Sequence, residues 1–173
     1  MTKLIISDTA LNIDSNAMGE NLNYIDLSKK KIANCIGCFS CWVKTPSKCI
    51  LRDDAPSIYP LVAESNQLMY VSHIKYGGYD TIMKTFLERN IPIQQAFIRL
   101  HRGETHHVQR NVVEKHAVII AYGDISHAEQ AIFTKLVKRN ANNMSFLTYQ
   151  IIFTSENELD QVVEKEVAKW NNC

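Results

Sequence analysis

Five short apolar runs, rich in β-branched and aromatic residues, alternate along this chain with stretches of helical spacing, and no other feature constrains the fold as tightly. The runs are Lys3 to Ser7 (KLIIS), Asn23 to Leu27 (NYIDL), Leu68 to Ile74 (LMYVSHI), Ala117 to Gly123 (AVIIAYG) and Phe146 to Thr154 (FLTYQIIFT). Continuous apolar strands of this kind suit a sheet covered on both faces, as parallel sheets are. Between them, Asp53-Asp54 before Pro56 opens a helix expected to reach about Ser65. Tyr79 to Asn90 places Ile82, Phe86 and Leu87 at helical spacing. Ser126-His127-Ala128-Glu129 is a capping-box pattern, predicting a helix with Ile132, Leu136 and Val137 inward. Ser155 to Glu158 repeats that signal before a stripe of Leu159, Val162, Val163, Val167 and Trp170. The expected architecture is a three-layer, doubly wound α/β domain, with a five-stranded parallel sheet in the order 2-1-3-4-5 and its ligand crevice at the carboxyl ends of the strands.

At 173 residues the chain suits one domain of this kind. Its 46% hydrophobic and 21% charged residues are ordinary for a globular protein, and a formal net charge of +1 gives no field to draw it to nucleic acid or an anionic membrane. The opening MTKLIISDTA lacks the apolar run of a signal peptide, so the cytoplasm is the expected compartment and its thiols are expected to be reduced unless they hold metal or do redox work.

Two connections break the alternation. Thr9 to Glu20 is near the minimum for a parallel crossover, so the first helix is expected to be short or absent. Its loss would expose apolar strand surface, which implies a homodimer or larger oligomer whose partner covers that face. Conversely, 91–116 is a long stretch of weak periodicity, expected to be a loop serving as lid, binding arm or subunit contact. It carries Arg99, His101, Arg102, Glu104, His106, His107 and Arg110. As a lid, its Arg99 and Arg102 would meet nicotinamide phosphates and its His106 and His107 the substrate. Adjacent histidines on an extended chain point to opposite faces, which disfavours one metal site taking both. A solvated arm at a subunit contact is the competing reading.

Four of the five cysteines fall within fifteen residues: Cys35-x-x-Cys38-x-x-Cys41, then Cys49. Three thiolates at that spacing with a fourth nearby can hold the corners of a [4Fe-4S] cubane. Zinc more often takes two separated Cys-x-x-Cys pairs, and reduced thiols packed under a loop, or a redox disulfide, stay open as alternatives. The acidic pair Asp53-Asp54 reads as a helix cap rather than as acid–base machinery.

The segment from Cys35 to Asp54 (CIGCFSCWVKTPSKCILRDD) resembles the cysteine loop of the flavodoxin-like NAD(P)H-dependent FMN reductases, in particular their iron–sulfur flavoprotein branch. The resemblance continues through VSHIKYGGYDTIMKTFLER, from Val71 to Arg89. It implies an FMN across the carboxyl edge of the sheet, a reduced nicotinamide as transient donor, and a small acceptor such as a quinone or flavin. It also implies that the loop from Ser72 through His73, Ile74, Lys75, Tyr76, Gly77 and Gly78 to Tyr79 wraps the isoalloxazine ring, with Tyr122, Gly123 and Asp124 on the other side. Gly77-Gly78 would allow close backbone approach, and Tyr76 and Tyr79 offer flat faces. The family holds the FMN phosphate in the loop after the first strand; here that loop starts Ser7-Asp8-Thr9, so Ser7 and Thr9, with Ser15 and Asn16, are the candidate phosphate partners beside an opposing Asp8. The non-enzymatic alternative is a flavodoxin-like binding or redox-sensor module with a degenerate FMN site.

Overall fold

A computed structural model describes residues 2–13 and 21–171. The five expected strands form at Lys3–Ser7 (β1), Leu22–Asp26 (β2), Gln67–Lys75 (β3), Lys115–Tyr122 (β7) and Phe146–Thr154 (β8). They pair in parallel in the order β2-β1-β3-β7-β8, the expected flavodoxin-like order. A two-residue strand, Gly78–Tyr79 (β4), folds back antiparallel on the end of β3.

Strand side chains alternate between two buried faces. Leu4, Ile6, Leu68, Tyr70, Ile119 and Ala121 point to one core. That core is closed by helices Ala55–Glu64 (α2), Thr81–Glu88 (α3) and His127–Asn143 (α4). Ile5, Met69, Val71 and Ile120 point to the other, beneath Leu159–Asn171 (α5), whose Leu159, Val163, Val167 and Trp170 form the expected stripe. Leu11, Ile13, Leu22 and Tyr24 pack on the same cluster. The expected exposure of strand surface is therefore corrected: Ile5, Met69, Val71 and Ile120 are fully buried. The expectation of a short or absent first helix between β1 and β2 falls on 14–20, outside the described residues, as do Ser15 and Asn16.

Three helix details differ from the pattern reading. In α3 the buried residues are Met83 and Phe86, while Ile82 faces outward from the first turn behind the Asp80 cap. In α4 the Ser126–Glu129 capping box forms and Val137 turns inward as expected, joined by Phe133 and Ala141, whereas Leu136 is exposed. Ile132 is instead 53% exposed, its covered part lying against Gly77, where a Cβ would fall 2.8 Å from it. Around α2, Asp53 Oδ1 accepts the Ala55 N–H at 3.2 Å, but Asp54 reaches back to the Lys31 N–H at 2.7 Å and makes no side-chain cap.

The largest correction is to 91–116. Rather than a loop, it holds an antiparallel hairpin of Gln94–His101 (β5) and Glu104–Gln109 (β6), following a 3-10 turn at Ile91–Ile93. Arg102 (φ 51°) and Gly103 (φ 79°) both adopt left-handed conformations, the two-residue turn whose twist matches a right-handed hairpin. A four-residue helix, Ser40–Val43 (α1), lies against β5. Among the described residues no helix is long and apolar enough to cross a membrane.

Candidate functional site

The ends of β1, β3 and β7 meet at the point where the strand order reverses, and the side chains there converge on Asp8. Asp8 Oδ2 accepts the Ser72 hydroxyl at 2.7 Å and the His73 N–H at 2.9 Å, while Oδ1 accepts the Tyr122 hydroxyl at 2.9 Å. Burial pushes the Asp8 carboxyl above its ordinary range in spite of these donors, and burial with the Asp8 charge pushes the Tyr122 phenol up. His73 is only partly covered, with Nδ1 3.2 Å from Asp80 Oδ2. Its imidazole sits edge-on to Tyr122, ring centroids 5.4 Å apart. The Thr81 amide at the start of α3, helped by His73, holds the Asp80 carboxyl low. Gly123 (φ 125°) passes so close to this imidazole that a Cβ would fall 2.9 Å from His73 Nε2. A cavity of about 370 Å³ opens here, lined by Asp8, His73, Asp80, Thr81, Ile82 and Tyr122.

The turn joining β3 to β4 carries Tyr76 (φ 53°) and Gly77 (φ 72°) in left-handed conformations. Tyr76 projects outward, 85% exposed, with Lys75 Nζ 5.9 Å from its ring centroid. A side chain in a costly backbone conformation with its ring offered to solvent is a feature of ligand loops. Tyr79, by contrast, is buried edge-on to Phe133 with centroids 4.9 Å apart, and Ile74 is also in the core, so neither presents a face to a ligand. Of the remaining expected residues, Ser7 is buried and accepts the Thr9 N–H, Ser72 is committed to Asp8, and Asp124 is exposed.

Beyond α3 lies the cysteine loop, where Gly37, Phe39 and Ser47 take left-handed conformations. These turns wrap Cys35, Cys38, Cys41 and Cys49 around one apolar hollow of about 30 Å³, with Phe39 and Ile91 in its wall. Hydrogen bonds from Ser40 draw the Cys38 thiol below its usual range, whereas burial and then the neighbouring thiols push Cys41 up. As placed, no three His, Cys, Asp or Glu side chains among the described residues stand close enough to hold a metal ion. The thiols surround the hollow without converging in it. The base of the loop is fixed by Arg89, fully buried. Its guanidinium donates to Asp53 at 2.6 and 3.0 Å, to the Ala33 carbonyl at 2.6 Å and to Cys49 Sγ at 3.4 Å. Burial pushes the Asp53 carboxyl up, but Arg89 and the Ala33 and Ala55 amides outweigh it and hold it low.

Of the arm residues, none lines the crevice at Asp8. Arg99 is exposed, and Arg102 reaches Asn142 Oδ1 at 3.5 Å. His106 Nε2 lies 2.9 Å from Glu104, which also meets Arg139 at 2.5 Å, tying the hairpin to α4. His107 turns the other way, its ring centroid 4.6 Å from that of Trp42 in α1. The two histidines thus serve opposite faces. Sequence reasoning treated Asp8 only as a repulsive charge and missed Asp80 and Arg89. Their signal was present in the cap before α3 and in a lone arginine closing an apolar helix.

No protein-family model matches the chain. Its sequence is 35% identical over 85 residues to an iron–sulfur flavoprotein of Archaeoglobus fulgidus and 29% identical over 79 residues to one of Methanocaldococcus jannaschii. These matches cover 49% and 46% of this chain but only 37% and 40% of those relatives. The fold matches an FMN-dependent NADH-azoreductase from Bacillus anthracis, solved with FMN, at a TM-score of 0.60 and 14% identity over 98% of this chain and 97% of that one. The fold is flavodoxin-like.

Proposed function

We propose that this protein is a flavin-dependent oxidoreductase, passing electrons from a reduced nicotinamide through FMN to a small acceptor such as a quinone or flavin. The observation that carries the reading is the crevice at the strand-order reversal, lined by Asp8, His73, Asp80, Thr81, Ile82 and Tyr122, with the exposed ring of Tyr76 on the turn that follows β3. Open α/β sheets bind their ligands in this crevice. The similarity to two iron–sulfur flavoproteins supports the same cofactor class.

The residues present fit a flavin ring better than they fit its phosphate. Tyr76 offers an exposed stacking face and His73 places a ring nitrogen at the crevice, while the missing side chains of Gly77 and Gly123 make room for Ile132 and for the His73 ring. Asp8 withdraws Ser72, the His73 amide and Tyr122 from any bound anion by taking all three donors itself. When bound, FMN supplies the hydride and electron chemistry. The chain's own part is to stack, to orient and to hold a proton. The Asp80–His73 pair fixes the imidazole, and Asp8 with Tyr122 forms a hydrogen-bonded floor that takes up or gives a proton at the Asp8 carboxyl. The four cysteines have the donor set of a [4Fe-4S] cluster around a common hollow, and Cys35, Cys38, Cys41 and Cys49 are the residues that would hold one after closing inward. A homo-oligomer belongs to the same reading, with the apolar hairpin arm as its contact.

The test is an anaerobic ultraviolet–visible spectrum with an iron assay on the same purified sample, followed by addition of NADH or NADPH. Flavin bands that bleach with the nicotinamide are expected, with iron near four per chain if the cysteines carry a cubane. A featureless spectrum that added FMN leaves unchanged overturns the oxidoreductase reading and favours a binding or sensor module, for which the self-satisfied Asp8 is the motivating observation.

A further inference from the structure

A second cavity, of about 560 Å³, lies on the flank of α2, away from the strand ends. Its volume falls in the range of small-molecule sites. Pro56, Tyr59 and Pro60 of α2, with Pro92 and Ile93 of the 3-10 turn, give it flat apolar walls. The tyrosine hydroxyl is already engaged, accepting the Cys49 N–H at 3.2 Å and donating to the Ser47 carbonyl at 3.3 Å, so it is the ring that faces the space. Two cations, Lys48 and Arg110, line the same cavity against one exposed carboxylate, Glu64.

Arg110 is the informative residue. Its backbone is pinned, the N–H donating to the Ile93 carbonyl at 2.8 Å, and the next residue, Asn111, takes a left-handed conformation (φ 49°). Its Nε is buried and has no acceptor. A buried donor without an acceptor is rare; Nε itself is closed off, and it is the rest of the guanidinium of this cavity-lining residue that an acceptor from outside the chain would meet. Apolar flat walls, a net positive lining and an orphan guanidinium donor together specify the occupant's chemistry.

We infer that this cleft binds a small, flat, apolar anion, an aromatic sulfonate or carboxylate whose acidic group meets Arg110 and whose rings lie on Tyr59 and the prolines. Lys48 adds charge at the rim, and Arg110 supplies the charge-assisted hydrogen bond that fixes orientation. Cys49 lines both this cleft and the four-cysteine hollow, so the two share one of the four cysteines in their walls. The site stands apart from the crevice at Asp8 and does not depend on flavin binding there.

The probe is anthraquinone-2-sulfonate, titrated by isothermal calorimetry into the protein as purified, with flavin content read from the absorbance of the same sample. One saturable site per chain is expected. Arg110→Met is expected to weaken it at least about tenfold, Arg110→Lys to restore part of the loss, and Ala63→Trp to abolish it by filling the cavity. The neutral 2-(hydroxymethyl)anthraquinone is expected to bind wild type and Arg110→Met alike. Absence of saturable binding, or binding indifferent to both Arg110→Met and Ala63→Trp, overturns the inference. A sample without flavin that still binds the probe at Arg110 separates failure of the flavin reading from failure of this one.

Discussion

Lys115 opens the inner strand β7, between β3 and β8, with a fully buried side chain whose ammonium donates to the Val113 carbonyl at 2.8 Å. Burial alone pulls its pKa from 10.5 down to about 8. Because the folded value is depressed, the folded state binds fewer protons than the unfolded chain between pH 8 and 10.5, so stability rises with pH across that window. Below pH 8 the full cost of an interior charge is carried. Lys115→Met is expected to raise stability at pH 7 by roughly 2 to 3 kcal/mol and to flatten the rise between pH 8 and 10.5. Urea denaturation at pH 7 and pH 10 measures both effects, and an unchanged slope in the variant contradicts the assignment. Tyr122→Phe removes the only donor that reaches Asp8 Oδ1 among the described residues. The expected loss is about 1 to 3 kcal/mol with Asp8 ionised, shrinking at acid pH where a protonated carboxyl no longer needs that donor. Equal losses at pH 4 and pH 8 would count against it. None of this was legible from Asp8 as a letter in a loop, because its partners come from β3 and β7, far along the chain.

At the scale of elements, legibility followed period and caps. The five core strands were readable because each is a continuous apolar run, and α4 because Ser126 and Glu129 form a reciprocal cap. The phase of α4 was not readable, since Ile132 is apolar for the sake of the Gly77 turn rather than the sheet. The hairpin escaped detection because its turn is Arg-Gly rather than Asn-Gly and its strands mix histidine, arginine and glutamine with Phe97, Ile98 and Leu100. Its stability rests on Gly103 at φ 79°. Gly103→Val is expected to cost about 1 to 2 kcal/mol locally, a β-branched residue being poorly tolerated there. Hydrogen exchange should then accelerate at β5 and β6 while β3 and β7 keep their protection; loss across the whole sheet would mean that the arm is part of the global fold.

The whole molecule has its two cores closed on both sides of the sheet, yet the arm leaves Leu100 78% exposed with Phe97 and Ile98 beside it. Apolar clusters of this kind mark contact surfaces. Multi-angle light scattering at micromolar concentration is expected to give a dimer or larger species for the wild type and a monomer for the Phe97→Glu, Leu100→Glu double variant. A monomeric wild type would remove the arm from consideration as a subunit contact. The candidate site divides along similar lines. The turn at Tyr76, the clustering of the cysteines and the crevice followed from sequence order, whereas the cleft at Arg110 did not, being assembled from four separate segments.

The arm also sets an order of events during synthesis. Every pairing of the five-stranded sheet joins distant residues, as when Lys3 meets Gln67, so the sheet forms only after a slow search. The hairpin closes between immediate neighbours across Arg102-Gly103 and zips on the order of microseconds. Once the chain has emerged as far as Gln109, every residue of the arm is free to pair while β7 and β8 have yet to emerge, so the arm can close before the sheet is complete.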